Sequence, residues 1–167
     1  AYLIRALCYH TLAVRFAKDY EPETASSDLG LPLVLDVDPN AKPSRSSLAD
    51  TYKQIKSDIT EARKLMTTEG ASNSIYLTTD VIDALEARVD LYMHNYAEAV
   101  TISESLINKY PLSTTKDNLS KVFLNDEGSE IIYKVFLSID ERTNELPYYL
   151  YWNTSINSYS PDFVPSQ

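Results

Sequence analysis

Apolar residues between 47 and 66 recur at steps of three and four. Leu48, Tyr52, Ile55, Ile59, Ala62 and Met66 therefore share one face of a helix. Ser47 and Asp50 provide a capping-box start, and Lys53, Lys56, Asp58, Glu61 and Lys64 read as the solvated face. Residues 1–18 show a different pattern. Thirteen of the first seventeen are apolar or aromatic, which covers nearly the whole circumference and predicts a buried helix. Arg5 and Arg15 interrupt it and must reach solvent or a carboxylate. Between Thr78 and Pro111 the pattern predicts two helices joined by a tight turn at His94–Asn95. Thr78, Thr79 and Asp80 offer cap oxygens for the first, and Asn95 with Glu98 for the second. Ala84, Ala87 and Ala99 allow close helix approach, Tyr96 precedes Ala99 by three residues, and Pro111 stops the second helix. This is the spacing of one tetratricopeptide-type hairpin, which cannot bury its apolar face alone.

The connecting segments are polar or irregular. Residues 19–46 form a long connection in which the run Gly30–Leu35 is expected to tuck against the helices. Asp36, Asp38 and Asn40 alternate like the start of a calcium loop, but no glycine and no closing glutamate follow in the required frame, so no metal is expected. Residues 67–75 are a polar loop, and 112–129 are polar with a short helical turn near Leu119–Phe123. The β-branched and aromatic run that starts at Glu130 predicts a strand near 130–138. Beyond it Tyr148, Tyr149, Tyr151, Trp152, Tyr159 and Phe163 cluster among Pro147, Pro161 and Pro165, as in loops or edge strands. The fold class expected is mainly α: tetratricopeptide-like helical hairpins, with a loop-rich segment and a short β element on the C-terminal side. Residues 1–167 form one domain, incomplete at both ends, with a helical scaffold at 1–111 and an irregular segment at 112–167.

Charge and reactive residues narrow the function. There are 24 acidic and 15 basic residues, a net charge of −9, and no basic run, which argues against nucleic acid and anionic membranes as partners. Only three glycines are present, so the tight turns of a hairpin-rich β fold are disfavoured. Cys8, the single cysteine, reads as a small buried hydrophobe. His10 lies two residues away and points elsewhere on the helix, so no thiol–base pair forms. His10 and His94 both read as structural. No nucleophile elbow, phosphate-binding glycine loop, paired-histidine helix or paired-cysteine site is present, so neither catalysis nor a cofactor is expected.

Several segments, in order and spacing, resemble the SusD/RagB family of bacterial outer-membrane nutrient-binding lipoproteins. Arg5-Ala6-Leu7-Cys8-Tyr9, continuing through Leu12 to Phe16, is similar to the family's long helix. Gly30-Leu31-Pro32-Leu33-Val34 resembles its Gly-Ile-Pro-Leu-Val loop, and Arg45 to Ile55 with Asp58-Ile59-Thr60-Glu61-Ala62 its next helix. Ala87-Arg88-Val89-Asp90-Leu91-Tyr92-Met93 with Tyr96-Ala97-Glu98-Ala99 resembles its hairpin, and Glu130 to Val135 its strand. Two positions depart from the pattern. Asp90 stands where the family has an aromatic, and His94–Asn95 replaces a Gly-Asp turn.

The resemblance implies a helical scaffold carrying a loop-rich subdomain, in a surface-exposed lipoprotein of the outer membrane. It implies a non-catalytic protein that captures oligosaccharide, or peptide, and delivers it to a TonB-dependent, SusC-like transporter. A tetratricopeptide-like interaction scaffold and a peptide-binding family member are the competing readings. The chain looks like an internal fragment of such a protein, without the anchor, since Cys8 lies within a helix. Sugars stack their apolar faces on aromatic rings, so Tyr149, Tyr151, Trp152 and Tyr159 are the candidate glycan-binding residues.

Overall fold

The computed structural model describes residues 1–136 and, beyond them, the backbone of 152–153 and 158–159. The chain divides into two compact units, Ala1–Lys134 and Val135–Gln167. The first contains five helices: α1 (Tyr2–Phe16), α2 (Leu48–Leu65), α3 (Thr79–Tyr92), α4 (Tyr96–Lys109) and α5 (Lys116–Asn125). In the second, β1 (Trp152–Asn153) and β2 (Ser158–Tyr159) pair antiparallel. The fold is mainly α, built from packed helical neighbours.

Helix α2 is the central layer, with α1 on one side and α3 on the other, and α4 closes a hairpin with α3. Its periodic stripe supplies Leu48, Ile55 and Ile59, which are fully buried with Ile82 and Val89 of α3. Ser47 caps α2 as its spacing predicts, accepting a hydrogen bond from the Asp50 amide at 3.0 Å.

Helix α1 departs from expectation. Leu3, Ala6, Tyr9, His10 and Ala13 are buried, but Ile4, Leu12, Val14 and Phe16 lie on an exposed opposite face, Phe16 with 66% of its surface accessible. Cys8 falls on that outer side and is exposed, not buried. Composition alone makes this helix look buried all round, whereas within the Ala1–Lys134 unit only the stripe facing α2 is covered.

The long connection does tuck in. The backbones at Gly30 and Leu31 pair with Ser46, through Gly30 N to Ser46 O at 2.7 Å and Ser46 N to Leu31 O at 3.0 Å. A Cβ on Gly30 would lie 2.2 Å from Thr51 Oγ1 and 2.4 Å from the Ser47 carbonyl oxygen, so only glycine lets the loop approach α2. Arg45 Nε donates to the Gly30 carbonyl at 2.7 Å, and Tyr9 OH accepts from Val34 N at 2.7 Å.

The charged residues between the apolar positions of α2 are not all solvated. Asp58 is 1% exposed and receives a bidentate pair from Arg5 of α1, at 2.7 and 2.6 Å, together with Gln54 Nε2 at 3.0 Å. On the other flank Lys56 reaches Glu86 at 2.7 Å and Asp90 at 2.9 Å, both on α3. Arg63 adds Asp83 and Glu86. Burial draws the Glu86 carboxyl upward, but its bonds from Lys56 and Arg63 outweigh this and hold it below the ordinary range. Positions 56 and 58 adjoin the stripe, so their side chains leave α2 toward its neighbours. Asp90, where the sequence resemblance implies an aromatic, is an acid that serves as a hub: besides Lys56, its Oδ1 accepts from Asn95 Nδ2 at 3.1 Å.

That bond alters the expected cap. Asn95 makes no side-chain cap on α4, and Thr78 makes none on α3. The turn is closed instead by His94 at φ 63°, the left-handed conformation that a glycine would take without strain, with the Asn95 amide bonded to the Asp90 carbonyl at 2.9 Å. The His94 ring stacks on Tyr96 with centroids 5.6 Å apart. At the far end of the hairpin, Asp80 accepts from Tyr110 OH at 2.6 Å and pairs with Lys109 at 2.6 Å. A Cβ on Gly70 would meet both Asp80 and Tyr110 at 2.5 Å.

Residues 130–136 run without forming a strand. Asn73 N donates to the Ile131 carbonyl at 2.8 Å and Lys134 N to the Ser74 carbonyl at 2.9 Å. The segment is held by a turn and not by a partner strand, which leaves most of its backbone outside any ladder. Residues 137–138 of the expected strand lie outside the described residues.

Two outcomes test this ledger of charges. Arg5→Leu should cost about 3 kcal/mol, since it strands a buried carboxylate, and adding Asp58→Leu should recover most of it. Urea unfolding of the two variants reads both values. Burial pulls the Asp80 carboxyl up, but Lys109 and Tyr110 outweigh it and hold it below 3.8. Its contribution is therefore complete above the unfolded carboxylate range and lost as pH falls through the lower folded value. Lys109→Met should cost about 1 kcal/mol at pH 7, and the gap from wild type should narrow as pH falls through the lowered range of the folded Asp80 carboxyl.

Candidate functional site

Of the four aromatics expected to bind glycan, Trp152 and Tyr159 are register partners across the β1–β2 pair, with Asn153 opposite Ser158. The chain thus brings positions 152 and 159 together although six residues separate them. Tyr149 and Tyr151 lie outside the described residues.

Two apolar clefts open on the helical unit. The first, about 650 Å³, runs along the α3–α4 hairpin. Ala84, Ala87 and Ala99 form its small-residue floor, and Leu91, Val100 and Ile107 rise beside it. Ala84, Ala87 and Ala99, the small residues expected where helices approach closely, all line this groove. Leu91, Tyr96, Val100 and Ile107 are each more than half exposed. The second cleft, about 530 Å³, lies between α1, α3, α5 and residues 130–133, and includes Leu7, Leu85, Val122, Ile131 and Tyr133. Arg88 of α3 borders both, and its guanidinium makes no hydrogen bond or ion pair among the described residues. Surfaces of this kind suit packing against another apolar face, with Arg88 at the margin to meet an acid or a carbonyl.

The two histidines sit in unlike places. His10 is buried on α1 between the edges of Tyr92 and Tyr52, with centroids at 5.0 and 6.2 Å, and its Nδ1 has no hydrogen-bond partner. Burial, and then the charge of Arg88, lowers its pKa, which keeps the ring neutral at pH 7. His94 sits at the hairpin turn, with Nδ1 3.8 Å from Glu21 Oε2. Among the described residues no group of three or more His, Cys, Asp or Glu could hold a metal ion. No described helix is long and apolar enough to cross a membrane.

Sequence reasoning placed Asp58 on the solvated face, noted Asp90 only as a departure from the resembled pattern, and gave Arg88 no role of its own, whereas Asp58 and Asp90 are buried. The first two were legible as acids beside an apolar stripe that must face a neighbouring helix. Arg88 carried no such signal, because its position depends on where α5 and residues 130–133 run.

The model of a SusD-like family, described as starch-binding and associating with the outer membrane, matches residues 1–91, more than half of the chain. The fold is similar to that of a SusD superfamily protein from Bacteroides thetaiotaomicron VPI-5482, at 28% identity and a TM-score of 0.72, covering 84% of this chain and 31% of that one. A SusD superfamily protein from Bacteroides vulgatus ATCC 8482 aligns at 25% identity and a TM-score of 0.75, covering 92% of this chain and 36% of that one. The chain thus spans about a third of the length of these solved structures. No curated protein matches it. The helical order, the glycine-dependent loop at residue 30 and the family match over residues 1–91 agree, and the chain belongs to the SusD-like family.

Proposed function

We propose that this chain is part of a non-catalytic, surface-exposed lipoprotein that captures oligosaccharide at the outer membrane and delivers it to a TonB-dependent transporter. The observation that carries this reading is the match over residues 1–91 to a family described as starch-binding and associating with the outer membrane. In this reading the helical unit is the platform. Its α3–α4 groove and the exposed outer face of α1 supply the apolar surface that a large protein partner such as the transporter would cover. The aromatics Tyr149, Tyr151, Trp152 and Tyr159 stack sugar rings, their flat faces meeting the apolar face of each ring. The antiparallel register that sets position 152 opposite 159 supports at least two of them acting together.

Native gel electrophoresis with starch in the matrix tests the capture step. The protein should be retarded relative to a starch-free gel, and Trp152→Ala should weaken the apparent affinity about tenfold, the loss of one aromatic stacking contact. Normal mobility in starch and in a panel of other polysaccharides would overturn the glycan reading and favour a peptide ligand.

A further inference from the structure

One titratable side chain is enclosed where three elements of the helical unit meet. His10 of α1 is 3% exposed and lies against Tyr52 of α2 and Tyr92 of α3. Tyr20, in the connection that follows α1, closes on Tyr52 with ring centroids 4.9 Å apart. His10 Nδ1 is buried and has no hydrogen-bond partner. Buried polar atoms are normally paired, so this nitrogen carries a cost even when the ring is neutral.

A proton on the ring would raise that cost. It would place a charge in a site walled by aromatic side chains, where little water can reach it. No acid pairs with the ring, since the one histidine–carboxylate approach among the described residues is His94 to Glu21, at 3.8 Å. The charge that acts on His10 is that of Arg88 on α3, which is of like sign. Tyr52 cannot answer it as an anion. Burial, and then the charges of Tyr92, Asp19 and Tyr20, push its hydroxyl up to about 12. Attraction of a cation to a ring face is weaker than the cost of burying an unpaired charge.

The place of His10 along α1 decides what such a charge would move. Leu7 precedes it by three residues and so neighbours it on the helix surface. Leu7 and Arg88 both line the second apolar cleft, with α5 and residues 130–133 at its far side. A change of spacing between α1 and α3 at His10 therefore acts directly on that cleft. The hold of α1 on α2 is separate, because Arg5 and Asp58 provide it.

We infer that His10 is an acid-sensitive latch on the seam between α1 and α3: neutral, it lets the two helices close over it, and protonated, it parts them and widens the cleft beside Leu7 and Arg88. The latch belongs to the scaffold and does not depend on which ligand the protein carries. Burial, and then Arg88, hold the folded imidazole below the ordinary range, so the opened state takes up a proton first as pH falls. The seam is therefore at full strength above the ordinary imidazole range and weakens as pH falls through the lower folded value.

The test follows the histidine ring signals of the wild-type protein by NMR. There are two histidines, and His94→Gln identifies the signal of His10. Between about pH 7 and about pH 5, imidazoles titrate while most carboxylates stay ionised. Over this range the His10 ring should take up its proton below the ordinary imidazole midpoint, and the Leu7 methyl and Tyr92 ring signals should move with it. Stability to urea should fall over the same range in the wild type and in His94→Gln, and much less in His10→Phe, which keeps a ring without a proton site. Arg88→Met should move the His10 midpoint to higher pH, a response that a purely structural histidine would not give. A His10 ring that stays neutral throughout, titrates at the ordinary midpoint, or titrates without moving Leu7 and Tyr92 would overturn the latch. These three readings come from wild-type signals, so they stand even if His10→Phe fails to fold.

Discussion

The carboxylate of Asp58 is the constraint around which the helical unit is arranged. It sits on the central helix beside the apolar stripe, almost without solvent, and a buried carboxylate is tolerable only if its charge is met. Arg5 meets it with both nitrogens of the guanidinium edge, which fixes the rotation and the axial position of α1 on α2. On the opposite flank Lys56, Arg63, Glu86 and Asp90 do the same for α2 and α3. Hydrophobic burial drives these helices together but is non-directional, so the ion pairs carry the register. Asn95, bonded to Asp90, extends that register into the turn and hence into the placement of α4.

A fixed stack of helices has consequences for the surface. Small residues line a shallow apolar groove along the α3–α4 hairpin. The apolar side chains of α1 that do not face α2 lie bare. The same unit carries, around α5, a cleft lined by Asn73, Ser113, Asn118, Lys121 and Glu127. The reading of the chain as part of a glycan-capturing protein uses the two apolar faces.

The two departures from the family pattern have physical explanations. At position 90 an aromatic would fill space, whereas the aspartate gives Lys56 a second carboxylate beside Glu86 and accepts from Asn95 of the turn. At position 94 a histidine occupies a left-handed turn. The strain of placing a side-chain-bearing residue there is partly offset by stacking on Tyr96.

Much of the scaffold was legible in the residues alone. The three-and-four spacing of Leu48 to Met66, the capping serine at 47, the turn at 94–95 and the stop at Pro111 are local features, set by backbone geometry and short-range hydrogen bonding. The glycine at 30 marked a close approach without saying to what. Tertiary structure decided the rest, because it depends on which side of a residue a distant segment lies. It exposed Cys8 and half of α1, buried Asp58, turned Asn95 from a cap into a partner of Asp90, and ran residues 130–136 along a turn and not in a sheet. It also brought Asn73, Ser113, Asn118 and Glu127 to one cleft. Periodicity tells which positions share a face, but burial, pairing and convergence are properties of what packs against that face.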